Sequence, residues 1–420
     1  MRYAAPRGTA DVLPPESLRW QYVESKFRET CQLYGYDELR TPTFEETELF
    51  ARSIGEHTDI VGKEMYTFPD RAGRSMTLRP EGTAPIVRAY VQHKLFGEMP
   101  LGKYYYIAGI FRYERPQAGR YREHHQVGVE AFGSQDPAID AEVISLAMQY
   151  LTSLGIRDLE LKMNSIGCPV CRPAYKDALR KAVEPYLAEL CETCRARYDA
   201  NPLRLLDCKS PRCRELTVGA PNMAEHLCPE CSDHLAAVLH YLDTLGVGYS
   251  LDPRLVRGLD YYTKTAFEIV SAELGAQNSV GGGGRYDGLV AELGGPPTPA
   301  VGLGLGIERI LAIVAAQGIE LPVDTHPSVF VATLGDETRE TGIKLLADLR
   351  RAGVAAETDY VGKSLKAQMK AADREKVQLT IIIGEDELSR GQVKVRNMET
   401  KEEADVPIEQ AAEKIKSMVD

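Results

Sequence analysis

The chain has 420 residues, of which 44% are hydrophobic and 26% are charged, a composition typical of a soluble globular protein with about two to four domains. Its formal net charge of −11 argues against electrostatic wrapping of nucleic acid over the whole surface, although an acidic protein can still carry a local basic groove. No segment has the apolar run of a signal peptide or the roughly 18 uninterrupted apolar residues of a membrane span. We therefore expect a cytoplasmic protein that is not bound to a membrane.

The first predicted elements are a helix and a long β-hairpin. Pro14 and Pro15 precede apolar residues at helical spacing, which predicts an amphipathic helix with a proline-bearing start. Residues 104–111 are rich in β-formers and predict a strand, and a second strand is predicted over residues 124–132 after a polar loop. Alternate residues of that second strand (Gln126, Gly128 and Glu130) share one face, which is a poor core surface but a good floor for a polar ligand.

A mostly helical insertion is predicted between about residues 164 and 249, where short helical patches alternate with prolines and cysteine pairs. Eight of the nine cysteines lie there, and their C-x₂-C units are typical of one or two structural Cys₄ zinc sites. Ordinary reduced cysteines are the alternative interpretation. The eight candidate Zn²⁺ ligands are Cys168, Cys171, Cys191, Cys194, Cys208, Cys213, Cys228 and Cys231.

Glycine-rich segments follow a predicted strand at residues 265–270. Gly302, Gly304 and Gly306 precede an apolar helix, but their G-x-G-x-G spacing is not that of a dinucleotide-binding loop. Residues 362–364 resemble the end of a P-loop, yet the first glycine of that motif is missing. We interpret the glycines before Arg309 as allowing the backbone to approach a flat ligand, with the helix start placing a guanidinium beside it.

The last hundred residues form a separate region in this interpretation. A linker at residues 322–327 precedes predicted strands at 329–332 and 379–384, and helices at 337–352 and 365–376 alternate with them. This alternation predicts a small α/β domain.

Three arginines carry the predicted chemistry. Arg112, Arg257 and Arg309 are candidates to bind phosphate groups, because a guanidinium is always charged and binds oxygen pairs as a fork; surface salt bridges are the alternative. Glu81 and Thr83, if that segment is extended, present a carboxylate and a hydroxyl to an α-ammonium group. Glu130 opposite Tyr262 would engage both nitrogens of a neutral imidazole.

Several motifs resemble those of a known family. The segments from Phe111 to Glu130 and from Gly302 to Arg309 are similar to motifs 2 and 3 of the class II aminoacyl-tRNA synthetases, and residues 40–45 are similar to motif 1. Residues 257–263, with the sequence RGLDYYT, resemble a signature of the histidyl-tRNA synthetases. The resemblance extends over essentially the whole chain.

The resemblance implies a fold and a domain organisation. The expected core is a class II synthetase-like α+β domain, an antiparallel sheet with flanking helices, formed by residues 1–165 and 250–322. The helical, cysteine-rich insertion would occupy residues 166–249, and residues 327–420 would form an α/β anticodon-binding domain. Motif 1 implies a homodimer.

The resemblance also implies an activity, which is the ATP-dependent formation of histidyl-adenylate and the transfer of histidine to the 3′ end of tRNA(His), with Mg²⁺ bound to the nucleotide. Arg112, Arg257 and Arg309 would be catalytic, and Gln117 and Arg122 would approach the acceptor end of the tRNA. ATP would be held by Arg112, Glu114, His124 and Arg309, although the family often has phenylalanine where this chain has His124. The histidine pocket would be lined by Glu81, Thr83, Gln126, Glu130, Tyr261, Tyr262 and Tyr286.

Two other functions are considered. A non-catalytic, histidine-binding regulatory subunit of ATP phosphoribosyltransferase shares the same core, but such proteins tend to lack the terminal domain and part of the arginine set. A zinc-dependent nucleic-acid-binding module would explain the cysteines, yet it leaves the hairpin and the pocket residues without a purpose.

Overall fold

The computed structural model describes residues 3–55, 58–115, 119–323 and 326–419. It divides into two compact units, Met1–Pro322 and Val323–Asp420, and each is described by itself. The boundary falls in the predicted linker.

The first unit contains eleven strands and ten α-helices among its described residues. The strands are β1 (Asp37–Glu38), β2 (Phe44–Glu46), β3 (Thr67–Pro69), β4 (Ser75–Leu78), β5 (Gly102–Phe111), β6 (Glu123–Phe132), β7 (Leu159–Ser165), β8 (Ser250–Leu251), β9 (Thr263–Ser271), β10 (Ser279–Arg285) and β11 (Ala300–Gly306). The helices are α1 (Glu16–Leu33), α2 (Thr47–Ile54), α3 (Thr83–Gln92), α4 (Pro137–Ser153), α5 (Arg172–Val183), α6 (Glu192–Ala200), α7 (Pro211–Leu216), α8 (Pro229–Thr244), α9 (Leu289–Glu292) and α10 (Ile307–Ala316).

Eight of these strands form one sheet, in the order β1-β5-β6-β11-β10-β9-β7-β8. The six central strands are antiparallel, as predicted, whereas the two-residue edge strands β1 and β8 pair in parallel. The sequence predicted no element for residues 300–306, yet they form a strand in the middle of the sheet, between β6 and β10. Strands β2, β4 and β3 make a separate small sheet.

Helices cover the apolar face of the large sheet. Val127 and Val129 of β6 are fully buried and belong to one cluster with Phe27 of α1, Ile144 of α4 and Ile310 of α10. These strand residues alternate with Gln126, Gly128 and Glu130, so the predicted division of β6 into an apolar and a polar face is confirmed. The other face carries the polar side chains of β6 and is partly covered by α3 and by tyrosines such as Tyr106 and Tyr286.

The insertion is helical, as predicted, and has an apolar cluster of its own. Tyr175 and Leu179 of α5 pack there with Leu205 and with several of the cysteines. Its last helix, α8, also packs against the large sheet, because Val238 and Leu242 belong to the core cluster of α1 and α4. The insertion is therefore joined to the sheet by a shared helix.

The second unit is a five-stranded α/β domain. Its strands are β12 (Val329–Thr333), β13 (Ala356–Thr358), β14 (Leu379–Ile383), β15 (Gln392–Asn397) and β16 (Glu403–Pro407), and its helices are α11 (Asp336–Arg351), α12 (Leu365–Arg374), α13 (Glu385–Ser389) and α14 (Ala411–Val419). The strand order is β13-β12-β14-β15-β16, with parallel pairs on one side and an antiparallel hairpin on the other. The alternation up to β14 confirms the predicted domain; the final hairpin and α14 were not predicted.

None of the helices in the described ranges combines the length and the apolar character that a membrane crossing requires.

Candidate active site

The floor of the site is a strip of glycines on the polar face of the large sheet. Gly302 and Gly304 of β11 lie directly opposite Glu130 and Gly128 of β6. On the other side of β11, the same two glycines face Gly284 and Gly282 of β10. Five glycines thus stand side by side on three neighbouring strands.

The missing side chains make room for the two polar residues of β6. A Cβ atom on Gly302 would overlap the carboxylate of Glu130, and one on Gly304 would overlap the amide of Gln126. Both polar side chains therefore extend across β11. The glycines thus admit these neighbouring side chains as well as any flat ligand, a role that the sequence interpretation did not include.

Glu130 is the most strongly perturbed acid of the site. Its side chain is fully buried and accepts hydrogen bonds from the hydroxyl groups of Thr83 (2.6 Å) and Tyr286. Burial raises the pKa of Glu130 from 4.5 to about 8, although the two hydroxyl donors lower it. Among the described residues, the tyrosine hydrogen-bonded to Glu130 is Tyr286, whereas the sequence interpretation had set Tyr262 opposite this carboxylate.

Glu81 and Thr83 are not part of an extended segment, because α3 begins at Thr83. The two carboxylate oxygens of Glu81 accept the backbone N–H groups of Thr83 (2.7 Å) and Ala84 (2.6 Å), and one of them also accepts the hydroxyl of Tyr261 at 3.4 Å. The pair still lies together in the interior, but Glu81 caps a helix and Thr83 bonds to Glu130. Burial raises the pKa of Glu81, and the backbone donors oppose this effect.

Arg257 lies at the side of the pocket, next to Tyr262. Its guanidinium carbon is 5.8 Å from the centre of the Tyr262 ring, and Nη1 is 3.7 Å from the carboxylate of Glu268. The Nε of Arg257 is buried and lacks a hydrogen-bond partner within the described part of the chain. A donor left in this way in a buried position is free to bind an anionic ligand.

Arg112 and Arg309 flank His124. Arg112 Nε donates to the carbonyl of Pro80 at 2.7 Å, and Arg309 donates to the carbonyls of Ser279 and Gly119. Burial lowers the pKa of His124 to about 3, and the positive charges of Arg112 and Arg309 contribute to that shift. The imidazole is therefore neutral.

Arg309 lies close to several other charged side chains of the site. Burial lowers the pKa of Arg309, and nearby Arg120 and Arg112 lower it further. Glu114 and Glu268 oppose this shift, and Glu268 is also the ion-pair partner of Arg257. The positive charge of Arg112 thus acts on Arg309 directly. Arg257 and Arg309 are both near the carboxylate of Glu268.

The loop between β5 and β6 is only partly described. Glu114 forms an ion pair of 2.8 Å with Arg120, and the guanidinium of Arg122 stacks 4.0 Å above the ring of Tyr113. Gln117 lies outside the described residues, so its predicted place at the tRNA acceptor end stays a prediction.

One buried ionic group was missed by the sequence analysis. Arg285 and Asp140 are both fully buried and form an ion pair, and Nε2 of His234 lies 3.4 Å from Asp140. The neighbouring residue of Arg285 is Tyr286, so the ion pair fixes the strand end from which Tyr286 reaches Glu130. A charged residue directly after four glycines was the available signal.

The eight cysteines of the insertion come together in two groups of four. Cys168, Cys171, Cys228 and Cys231 form centre A, and Cys191, Cys194, Cys208 and Cys213 form centre B. Within each group all four sulfur atoms lie within 4.8 Å of one another. Centre A is formed by the first and the last C-x₂-C units of the insertion, and the four cysteines of centre B lie between these units in sequence.

Comparison with known proteins agrees with this geometry. The sequence profile of the histidyl-tRNA synthetases matches residues 8–310, and that of an anticodon-binding domain matches residues 328–418. Proteins named histidine–tRNA ligase from Desulforamulus reducens and Caldanaerobacter subterraneus are 54% and 53% identical to the chain. The first alignment covers 96% of each chain, and the second covers 98% of this chain and 99% of the relative.

A solved structure shows the same likeness. The apo histidyl-tRNA synthetase of S. aureus superposes with a TM-score of 0.85 at 40% identity, over 99% of this chain and 100% of that one. Profile, sequence and structure therefore agree over nearly the full length, and the chain belongs to the histidyl-tRNA synthetase family.

Proposed function

We propose that this chain is a histidine–tRNA ligase, which activates histidine with ATP and transfers it to the 3′ end of tRNA(His). The observation that carries the proposal is the buried carboxylate of Glu130, held on the glycine floor by Thr83 and Tyr286. Arg112, Arg257 and Arg309 are proposed to act together on the nucleotide bound above this floor. The names of the relatives support the same activity.

Histidine recognition is assigned to the buried polar residues of the floor and its walls. In this proposal an oxygen of the Glu130 carboxyl group accepts an N–H of the substrate imidazole, and a tyrosine hydroxyl serves the other nitrogen. Such a site rejects amino acids that leave its buried polar groups unpaired. The proposed pocket residues are Glu81, Thr83, Gln126, Glu130, Tyr261, Tyr262 and Tyr286.

Activation is a displacement at phosphorus. A carboxylate oxygen of histidine bonds to the α-phosphorus of ATP, and the bond from that phosphorus to the bridging oxygen of pyrophosphate breaks. Charge grows on the phosphoryl oxygens, where fixed guanidiniums stabilise it without reorganisation. Arg257 would bridge the substrate carboxylate and the α-phosphate, while Arg112 and Arg309 hold the nucleotide with Glu114 and His124.

Glu64 and Glu114 are close in the fold, because the N–H of Tyr113 donates to the carbonyl of Glu64 at 2.7 Å, and we propose that they lie near the Mg²⁺ that accompanies ATP. Burial raises the pKa of Glu64, and the negative charge of Glu114 raises it further, so the two carboxylates repel each other. When bound, Mg²⁺ would neutralise part of the phosphate charge. Glu114, with Glu64 as its neighbour, is therefore the side chain proposed to hold the ion.

Transfer to tRNA is assigned to parts of the chain beyond the pocket. The terminal ribose hydroxyl of tRNA attacks the carbonyl carbon of the adenylate, and AMP leaves. Residues 327–420 would read the anticodon, since an anticodon-binding profile matches 328–418. Gln117 and Arg122 of the β5–β6 loop would approach the acceptor end. We also propose the division into core (1–165 and 250–322) and insertion (166–249), which is supported by the separate apolar cluster of the insertion.

A homodimer is proposed through the motif 1 region. An open cavity of about 1030 Å³ lies there, lined by Arg40, Thr41 and Pro42 and by residues of α2 and α3. Phe44 and Phe68 lie on the nearby three-stranded sheet with 50% and 40% of their surfaces exposed. Exposed aromatic side chains beside a concave surface are typical of a protein–protein contact.

Structural zinc is proposed in centres A and B. The sulfur atoms of Cys168 and Cys171 are 3.5 Å apart, those of Cys171 and Cys231 are 3.7 Å apart, and those of Cys191 and Cys208 are 3.9 Å apart. Four thiolates around Zn²⁺ at about 2.3 Å lie roughly 3.8 Å from one another. When bound, the metal would stabilise the fold of the insertion.

Pyrophosphate exchange measured with each of the twenty amino acids tests the proposed function. We expect exchange with histidine alone, followed by charging of tRNA(His). Histidine binding without exchange or charging would favour the regulatory-subunit alternative and would contradict the proposal. The presence of the terminal domain and of all three arginines argues against that alternative.

A further inference from the structure

The segment that carries Arg257 and Tyr262 has no regular secondary structure of its own. Between β8 and β9, residues 252–262 are in neither a helix nor a strand. Two backbone hydrogen bonds attach it to the core, from the N–H of Asp252 to Met163 (2.9 Å) and from the N–H of Asp260 to Ile54 (3.1 Å). The side-chain amide of Asn164 in β7 also donates to the carbonyl of Leu255 at 2.9 Å, and further contacts come from side chains of the insertion.

Centre A holds the end of this segment at Tyr262. Arg172, the residue after Cys171, donates from Nε to the carbonyl of Ile166 at 3.1 Å and from Nη2 to the carbonyl of Tyr262. Glu230, which lies between Cys228 and Cys231, forms an ion pair of 2.7 Å with Lys264. Both contacts start within one residue of a cysteine of centre A.

Centre B holds the other end. Arg254 donates to the carbonyl (3.0 Å) and the hydroxyl (2.9 Å) of Thr217 and to the carbonyl of Leu206 (3.2 Å). The hydroxyl of Thr217 in turn bonds to the carbonyl of Cys213 at 2.9 Å, and Leu206 lies two residues before Cys208. Arg254 therefore contacts Thr217, which bonds to the backbone of Cys213, and Leu206, which is two residues away from Cys208.

A third contact comes from the helix that begins beside Cys191. Asn201, at the end of α6, donates through its side-chain amide to the carboxylate of Asp260 at 2.7 Å. Asp260 directly precedes Tyr261 and Tyr262. Each half of the segment thus has a partner whose position depends on a cysteine group.

We propose that metal bound in centres A and B positions the segment 252–262, so that Arg257 and Tyr262 reach the histidine site only when both centres are loaded. The metal contacts no substrate. Arg172 and Arg254 are positioning residues, which transmit the order of the two centres to the segment. This inference rests on the function proposed above, since it concerns the same pocket.

The contacts made by Arg172 and by Arg254 are expected to affect different kinetic constants. Arg172→Ala frees the carbonyl of Tyr262 and should raise the KM for histidine by roughly 10-fold, with a small change in kcat. Arg254→Ala releases the part of the segment that leads to Arg257. This variant should lower kcat by roughly 10- to 100-fold, because a misplaced guanidinium no longer stabilises the transition state. Arg172→Lys, which keeps one donor, should recover part of the loss.

Arg180 provides a matched control. It also lies in α5 and donates to backbone carbonyls, those of Tyr198 (3.3 Å) and Asp199 (3.2 Å), but both partners belong to the insertion. Arg180→Ala should therefore keep both constants near those of the unaltered chain. All three alanine variants should bind two Zn²⁺ per chain by elemental analysis, which separates loss of positioning from loss of the metal.

The deciding experiment compares the full-length chain before and after removal of metal with a chelator and reloading with zinc chloride. Hydrogen–deuterium exchange of peptides from residues 252–262 should slow on reloading, and histidine-dependent exchange of pyrophosphate should return. Unchanged deuterium uptake, a protein that binds no metal, or Arg172→Ala and Arg254→Ala variants with unaltered kinetics would each overturn the inference. A zinc-loaded chain that protects the segment but never exchanges pyrophosphate with histidine would contradict the proposed function and leave the positioning by metal standing.

Discussion

Thr83 donates a hydrogen bond of 2.6 Å to the carboxylate of Glu130, and this contact joins the first turn of α3 to the last part of β6. The bond is buried, and Glu130 accepts a second one from Tyr286. Two hydroxyl donors fix the carboxylate from two sides, so its direction is set before any ligand arrives. Preorganisation of this kind favours a ligand whose donor fits and disfavours one that lacks it.

Glu130→Gln should abolish selective use of histidine. The amide keeps the size of the side chain but replaces one acceptor oxygen with a donor, which would face a donor of the imidazole. We expect kcat/KM for histidine to fall at least ~100-fold, measured by pyrophosphate exchange. Glu123→Gln, at the partly exposed start of the same strand, is the control and should change this value little. Equal losses in both variants would contradict the role of Glu130.

The same variant should be more stable than the parent chain at alkaline pH. Burial raises the pKa of Glu130 from 4.5 to about 8, so the folded state holds a proton that the unfolded state releases above pH 4.5. The parent chain therefore loses stability between pH 4.5 and 8, by about 5 kcal/mol for a shift of that size, and Glu130→Gln does not. Denaturant unfolding from pH 4.5 to 9 without histidine should show a difference that grows up to pH 8 and then stays constant. A difference independent of pH would contradict the raised pKa.

Gly304→Ala should damage the site without a general loss of structure. The added Cβ would overlap the amide of Gln126 and displace it from the floor of the pocket. We expect a rise of roughly 10-fold or more in the KM for histidine, since a displacement of about 1 Å is enough for such losses. Gly288→Ala is the matched control, because a Cβ there meets no atom within 4 Å. Normal kinetics of Gly304→Ala would show that the displaced side chain has no role.

His124 should act as an uncharged aromatic surface for adenine. Its pKa of about 3, lowered first by burial, keeps the imidazole neutral throughout the physiological range. His124→Phe should therefore change the KM for ATP less than ~3-fold, whereas His124→Ala should raise it about 10-fold through loss of stacking. The KM for ATP of the parent chain should carry no His124 titration between pH 6 and 8. A large loss in His124→Phe would indicate a hydrogen-bonding role instead.

Arg257→Ala should lower histidine-dependent pyrophosphate exchange by ~10²-fold or more, since it removes a charge that acts on the transition state. The fall should appear mainly in kcat. Arg19→Ala removes an exposed arginine paired with Glu16 and should leave exchange unchanged. Near-normal exchange in Arg257→Ala would mean that this arginine does not bind the reacting groups.

Much of this structure was predictable from local patterns. The alternation of Gln126, Gly128 and Glu130 with valines placed one polar and one apolar face on β6, because side chains of a strand alternate. The βαβ rhythm after residue 327 predicted the second unit. The family motifs marked Arg112, Arg257 and Arg309, which lie far apart in sequence and which periodicity alone cannot bring together.

Other features depend on contacts between distant strands. The glycines of β11 have no side chains to show alternation, so the pattern gave no strand there, and only the pairing with β6 and β10 reveals one. The start of α3 at Thr83 is not evident from the sequence, because the acceptor for its first N–H groups is the carboxylate of Glu81, two residues upstream. The grouping of eight cysteines into two centres likewise depends on tertiary structure, since C-x₂-C spacing does not say which pairs combine.

The most direct test of the central claim is a crystal structure of the chain with a non-hydrolysable analogue of histidyl-adenylate. We predict the imidazole within hydrogen-bonding distance of Glu130, and guanidinium groups of Arg112, Arg257 and Arg309 around the phosphate-bearing half of the analogue. An analogue bound elsewhere, or these arginines turned away from it, would contradict the account.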